Sequence, residues 1–255
     1  MITKRVEFKN NKNEVLIGDL RIPDEEGKFP AVILCHSFKS NRERELLFHL
    51  WDAISRARFI CLKFDFSGHG ESQGNFRDFT ISQEIKDLES AYKYITKIDQ
   101  VNEKKIGLIG HSIGAMVSIL FAAEKERVNS LISINSKYSM EQFLNSYFSE
   151  FQQKEWKRKG FIMFHDFDEI SDDLLEDVEK HNVLESVKKI KCPAIFIHGT
   201  NDHTTPFESA RELFNHAIDP KQIELIDDAD HNFTDETHRE QLLDVVIDWF
   251  VRTLR

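Results

Sequence analysis

The sequence predicts a doubly wound α/β fold, in which a mostly parallel sheet is covered by helices on both faces. Three observations predict it. Short runs that are apolar throughout recur along most of the 255 residues, as strands buried on both faces require. Helix-periodic segments separate those runs, and an alternating pair at the amino terminus reads as a hairpin.

In chain order, "TKRVEFKN" and "EVLIGDLRIP" flank the polar "NKNE" and form the two arms of that hairpin. "PAVILCH" opens the parallel region, followed by "FICLKFDF", "KIGLIG", "SLISIN", "PAIFIHG" and "QIELID". Arg42 to Arg56 carries Leu46, Leu47, Leu50 and Ile54 on one helical face; Ile81 to Ile98 carries Ile85, Leu88, Tyr92 and Ile95. Thr237 to Leu254 closes the chain with Leu242, Val245, Val246 and Trp249 at the same spacing.

One interval breaks the alternation. More than fifty residues separate "SLISIN" from "CPAIFIHG", far longer than a crossover needs, so an inserted subdomain is expected. The α/β core is assigned to 1–134 and 192–255 and the inserted cap to 135–191. Within the insertion, Phe143, Leu144, Tyr147, Phe148 and Phe151 predict a first amphipathic helix, and "ISDDLLEDVEKHNVLESV" predicts a second.

Composition narrows the function classes. A formal net charge of -10 and no large basic stripe argue against a nucleic-acid partner. No signal-peptide core and no apolar run of about 18 residues are present, so a cytoplasmic protein without a membrane partner is expected. Cys35, Cys61 and Cys192 are an odd number without CxxC spacing and read as reduced core thiols.

The chemistry centres on "IGLIGHSIGAMV", Ile106 to Val117, where a polar serine stands between two glycines as a strand run gives way to a helical one. That strand-turn-helix setting presents a nucleophile at the carboxyl end of a parallel strand. A serine hydroxyl is a weak nucleophile and needs a base, a carboxylate to orient that base, and donors for an oxyanion. Asp202, in "HGTNDHTTP", follows another strand on the same sheet edge; the position after "SLISIN" offers Asn135, Ser136 and Lys137 but no acid. His231, in "IDDADHNF", follows the last strand and completes the order Ser112, Asp202, His231. His111, His198 and His203 are the nearest rivals for the base, but none is well placed to face both serine and acid. Asp227, Asp228 and Asp230 flank the base in sequence and read as turn residues. The oxyanion donors are the N–H of Ile113, after the nucleophile, and that of Phe38, in the loop after "AVILC".

Together, "GHSIG", "HGTNDHTTP", "DADHNF" and "FDFSGHGESQGNF" (64–76) resemble the α/β-hydrolase superfamily, and within it the bacterial cinnamoyl and feruloyl esterases and the serine-aminopeptidase and monoacylglycerol-lipase-like group. The resemblance implies an α/β-hydrolase fold with a mostly parallel sheet of eight strands and a cap inserted after the sixth. It implies the same triad, Ser112, Asp202 and His231, and the same donors, Phe38 and Ile113. One departure is that Ser37 follows His36 where the family usually has glycine.

The function expected is a serine carboxylesterase that cleaves small acyl or aryl, cinnamoyl-like, esters through an acyl-enzyme. No cofactor or metal is expected, since no zinc spacing occurs around His69, Asp65 and Glu71. A serine aminopeptidase, amidase or acyl thioesterase would use the same groups, and a ligand-sensing protein of this fold is the alternative from another class. A small-molecule ester is the expected partner; the surface pattern does not choose between a monomer and a homodimer.

Overall fold

The computed structural model of the protein describes residues 1–124, 127–164 and 167–255. In chain order the main sheet is built from β1 (Ile2–Lys9), β2 (Val15–Ile22), β3 (Phe29–Cys35), β4 (Ile60–Phe64), β5 (Val101–His111) and β6 (Ser130–Ile134), and then, beyond a small hairpin, β9 (Ala194–Gly199) and β10 (Lys221–Ile226). The eight lie in the order β1-β2-β4-β3-β5-β6-β9-β10. Only β1 and β2 run antiparallel to their neighbours, as the alternating amino-terminal pair predicts. Every residue of β4, β6 and β9 is buried, which explains their largely apolar character. Ser130, Ser133 and His198 are polar and Lys63 is charged; the Lys63 ammonium reaches Glu43 at 2.9 Å.

Helices α1 (Glu45–Arg56) and α9 (Glu236–Leu254) cover one face through Leu46, Leu50, Trp51, Leu242, Val246 and Phe250. Helices α2 (Ile81–Ile95), α3 (Ile113–Glu124) and α8 (Glu208–His216) cover the other. Because α3 is packed between the sheet and other helices, Ile113 through Ala122 are all buried. Cys35, Cys61 and Cys192 are free thiols.

Between β6 and β9 the chain forms α4 (Met140–Tyr147), α5 (Glu150–Lys159), a hairpin of β7 (Phe161–Phe164) and β8 (Asp168–Ser171), α6 (Asp173–Val178) and α7 (Val183–Val187). This differs from the two helices expected. Phe148 leaves the helical conformation, and Ser149 starts α5 with a capping box closed by Gln152, so the aromatic stripe is cut in two. Phe151 falls beyond that break and is 73% exposed, whereas Phe143 and Phe148 are buried. Gly160, with φ of 79°, ends α5 in the left-handed conformation that glycine tolerates. The second expected helix is divided because Asn182 caps a new start for α7.

No helix among the described residues is long and apolar enough to cross a membrane.

Candidate active site

Strand order reverses between β3 and β5, since β4 lies outside β3 while β6, β9 and β10 follow β5 in sequence toward the other edge. At such a switch point the loops leave in opposite directions and open a crevice at the carboxyl ends of the strands. Ser112 follows β5, Phe38 follows β3, Asp202 follows β9 and His231 follows β10. The sequence-predicted residues therefore share one rim of the sheet, although in the chain they lie up to 193 positions apart.

The turn at Ser112 is tight for a measurable reason. A Cβ at Gly110 would stand 2.3 Å from the Gly114 carbonyl oxygen, and one at Gly114 would stand 2.4 Å from the carbonyl oxygens of Cys35 and His36. Neither position admits a side chain. Ser112 itself adopts φ of 55°, a left-handed conformation that costs a non-glycine residue about 1–2 kcal/mol. Its backbone N–H donates to the Ile134 carbonyl at 2.9 Å, which fixes the turn against β6.

The acid and base are joined. His231 Nδ1 lies 2.6 Å from Asp202 Oδ2, and the Asp202 side chain is fully buried. The other carboxylate oxygen of Asp202 accepts the N–H groups of Thr204 at 2.7 Å and Thr205 at 2.8 Å. Burial opposes ionisation of this carboxylate, but hydrogen bonds from His198 and His231 outweigh it and hold Asp202 well below the usual carboxylate range. A permanently ionised acid here fixes the proton of His231 on Nδ1 and leaves Nε2 as the basic atom.

His198 is closer to this acid than the sequence suggests. Its Nε2 donates to the Thr205 carbonyl at 3.0 Å and lies 3.3 Å from Asp202 Oδ2, so two imidazoles meet one carboxylate oxygen. His111 is not merely a turn residue either. Its Nε2 donates to the His231 carbonyl at 2.7 Å, and its burial beside His231 pushes it down to about 3, so it stays a neutral donor. Asn135, at the end of β6, donates to the same carbonyl at 2.8 Å and accepts the Gly199 N–H at 3.0 Å. The backbone of the base is thus gripped from two strand ends. Asp230 serves its own turn, accepting the N–H groups of Asn232 and Thr234.

Ser112 is covered: it is 2% exposed, and the phenol of Tyr147, the last residue of α4, lies near enough to act on its hydroxyl. Among the described residues no hydrogen bond joins Ser112 to His231; the ring of His111, adjacent to Ser112, lies 4.8 Å from that of His231. Two of the three predicted groups, Asp202 and His231, are therefore in contact, and Ser112 lies beside Tyr147 of the insertion.

The candidate donors lie on either side of β3 and β5. Ile113 is the first residue of α3, where an N–H has no intrahelical acceptor. The amide of Phe38 donates to no acceptor among the described residues, while its ring packs edge-on against Phe79, Phe143 and Phe164 with centroids 5.1–5.4 Å apart. His36 supports that loop by accepting the Phe66 N–H at 3.1 Å; burial pushes it down to about 4, so it remains neutral. On the far side of the loop, Asp65 accepts the N–H groups of Arg42 at 2.7 Å and Glu71 at 3.0 Å and pairs with the Arg42 guanidinium. Asp65 thus anchors the loop of "DFSGHGES".

Tyr147, Asn135 and His111 carry parts of the site that the sequence reading did not assign. Their partners are distant along the chain, and only the helical aromatic stripe pointed toward Tyr147. No cluster of described side chains is arranged to hold a metal.

Comparison with known proteins agrees with this architecture. Residues 84–221 match the family described as BAAT / Acyl-CoA thioester hydrolase C terminal. The chain is 24% identical, over 92% of its length and 94% of the relative's, to an uncharacterized 31.7 kDa protein in the traX-finO intergenic region of Escherichia coli. It is 23% identical to mitochondrial palmitoyl-protein thioesterase ABHD10 of Mus musculus, over 88% of its length and 76% of the relative's. Est1E from Butyrivibrio proteoclasticus, solved with ferulic acid bound, superposes with a TM-score of 0.83 at 19% identity, covering 97% of this chain and 98% of the other. Mouse alpha/beta hydrolase domain-containing protein 10 superposes with a TM-score of 0.79 at 21% identity, covering 98% and 99%. At such identities the structural likeness shows the fold alone.

Proposed function

The chain belongs to the BAAT / acyl-CoA thioester hydrolase C-terminal family, within the α/β-hydrolase superfamily, and from that premise we propose that it is a serine hydrolase that cleaves small acyl or aryl carboxylic esters. The observation that carries the reading is the 2.6 Å contact between His231 and a buried, ionised Asp202, on the same rim as a serine held at a strained elbow. In the proposed reaction Ser112 Oγ attacks the acyl carbonyl carbon as His231 Nε2 takes its proton. The N–H groups of Phe38 and Ile113 stabilise the oxyanion. The C–O bond then breaks, His231 protonates the departing alcohol, and water, deprotonated by the same imidazole, releases the acid from the acyl-enzyme. No cofactor enters these steps.

The insertion, 135–191, acts in this reading as a cap. In it, Tyr147 moves off Ser112 as His231 engages the serine, and the rings of Phe38, Phe79 and Phe143 wall the acyl side. Such a wall suits a short or aromatic acyl group. Thioesters are a second reading, favoured by the family match and by the thioesterase among the relatives. A cytoplasmic setting suits the three free thiols.

A panel of p-nitrophenyl esters, acyl-CoA thioesters and aminoacyl anilides, run with the native chain and Ser112→Ala, tests both readings. Multiple turnover of esters that disappears in Ser112→Ala is the expected result. Cleavage of thioesters with ester rates at background would move the assignment to the second reading. Turnover of anilides alone, or ester cleavage that survives Ser112→Ala, would overturn the proposal.

A further inference from the structure

Lys137 follows the end of β6 and is 1% exposed. Its Nζ donates to Thr205 Oγ1 at 2.8 Å and stands 5.3 Å from the centre of the Tyr147 ring. An ammonium has three N–H groups, and here one finds an oxygen. No carboxylate lies within ion-pair distance of it among the described residues. Asp202 is the acid that acts on it electrostatically, from farther off, and that carboxylate is already committed to His231, His198 and two backbone amides.

Removing an ammonium from water costs several kcal/mol unless an anion compensates it. Burial accordingly pushes Lys137 down to about 8. A neutral amide could brace Thr205 as well without that cost, so bracing does not account for a charge at this place. The face of Tyr147 supplies a partial substitute, since a cation is attracted to an aromatic ring.

Tyr147 therefore stands between the two groups. Its ring faces the Lys137 ammonium, and its phenol end lies toward Ser112. When an acyl donor displaces the phenol, the space it vacates runs from the nucleophile to an uncompensated cation, with the Phe143 ring along the side. A ligand that restores both interactions carries an electrophilic carbonyl at one end and a negative charge at the other, about one aromatic ring away.

We propose that Lys137 is the anion-binding group of the acyl pocket and selects acyl donors whose far end bears a carboxylate, such as half-esters of short dicarboxylic acids. The selection rests on the hydrolase reading above. The binding subsite does not, because it requires only the buried cation and the displacement of the Tyr147 ring beside it.

The test has two arms. In the kinetic arm, the kcat/KM of the p-nitrophenyl half-ester of adipic acid is divided by that of p-nitrophenyl hexanoate, which has the same chain length without the charge. The native chain is expected to favour the half-ester at least about tenfold, the size of one charge-assisted hydrogen bond. Lys137→Met should bring the ratio to one or below, and Lys137→Arg should keep part of it. In the binding arm, calorimetry with adipate itself uses Ser112→Ala with and without Lys137→Met; binding lost with the lysine is expected. Hydrolysis of both esters at a ratio near one, or a ratio that survives Lys137→Met, would overturn the subsite and leave the hydrolase reading intact. Adipate binding through Lys137 with neither ester cleaved would support the subsite and sink the hydrolase reading. Absence of adipate binding to Ser112→Ala would overturn the subsite whatever the kinetics.

Discussion

The rim of the sheet and the insertion above it hold their residues in place by different means. At the rim the contacts are directional: Asp202 meets two imidazoles and two backbone amides, and the His231 carbonyl accepts from both His111 and Asn135. The insertion meets the body near Ser112 chiefly through rings, those of Phe38, Phe143, Tyr147 and Phe164. Its polar ties to the body are spread out: Asn135 and Lys137 bond at the strand ends, Gln142 reaches the Ser209 hydroxyl, and farther off Asp177 accepts the Ser82 N–H while His181 meets the Ser82 hydroxyl, both at 2.9 Å. Ring contacts contribute about 0.5–1.5 kcal/mol each and tolerate sliding, whereas a buried carboxylate loses its stabilisation if its donors move. The acid–base half of the proposed machinery is thus built in advance. In the proposed reading, the insertion over Ser112 is the part that moves.

Breaking the rim should have the largest effect. Asp202→Asn keeps the volume but presents an amide that cannot fix the His231 proton on Nδ1. Ester kcat is expected to fall about 10⁴-fold, with circular dichroism unchanged. A loss smaller than tenfold would show that the preassembled pair is not what activates Ser112, and the contrast between the two regions would lose its functional meaning.

The same contrast decides what the sequence could disclose. Strands buried on both faces announce themselves locally, and so do a glycine-flanked serine after one strand and a histidine after another; hence the sheet was legible, and so was the placing of Ser112, Asp202 and His231 on one rim of it. Asn135 was visible only as a position lacking an acid. Its role lies in reaching the Gly199 N–H and the His231 carbonyl, and no local pattern encodes those distances. Tyr147 belonged to a readable stripe, yet periodicity reports which face is apolar and not which hydroxyl a phenol will meet. The stripe was also read too long, although Ser149 and Gln152 carry the capping-box spacing that divides α4 from α5. The hairpin of β7 and β8 was missed because its strands have four residues each, too short for the helical and strand periods to differ.

Loosening the cover should have a smaller effect of opposite sign. Tyr147→Phe deletes the hydroxyl that lies toward Ser112 and leaves the ring in its aromatic packing. A net hydrogen bond of about 0.5–1.5 kcal/mol corresponds to a two- to tenfold rise in kcat/KM for a short neutral ester, or in the rate of labelling by a fluorophosphonate. A decrease in both would mean that the phenol assists the reaction, and Tyr147 would then belong with the rim rather than the cover.

The smallest kinetic effect is expected deep in the body, from Glu84 on α2. Both of its carboxylate oxygens are buried without a hydrogen-bond partner, and burial, with Asp87 nearby, raises it well above its ordinary value of 4.5. The folded chain therefore retains a proton that the unfolded chain releases once the pH exceeds about 4.5, so the native protein loses stability as pH rises from there through the raised folded value. Glu84→Met removes the unsatisfied acid and much of its desolvation cost at similar volume. Urea unfolding should show the variant stabilised by about 1–3 kcal/mol, with a larger gain at pH 8 than at pH 5. Its ester kcat/KM should match the native value, because Glu84 touches neither the rim nor the cover. Tyr147→Phe and Glu84→Met thus form opposite halves of one experiment, the first changing rate with little change in stability and the second changing stability with little change in rate. A gain for Glu84→Met that is equal at both pH values would show that Glu84 is ionised in the folded chain and has a counter-charge. A change in rate would show that α2 transmits strain through α3 to the turn at Ser112, and the rim would then be less independent of its surroundings than its hydrogen bonds imply.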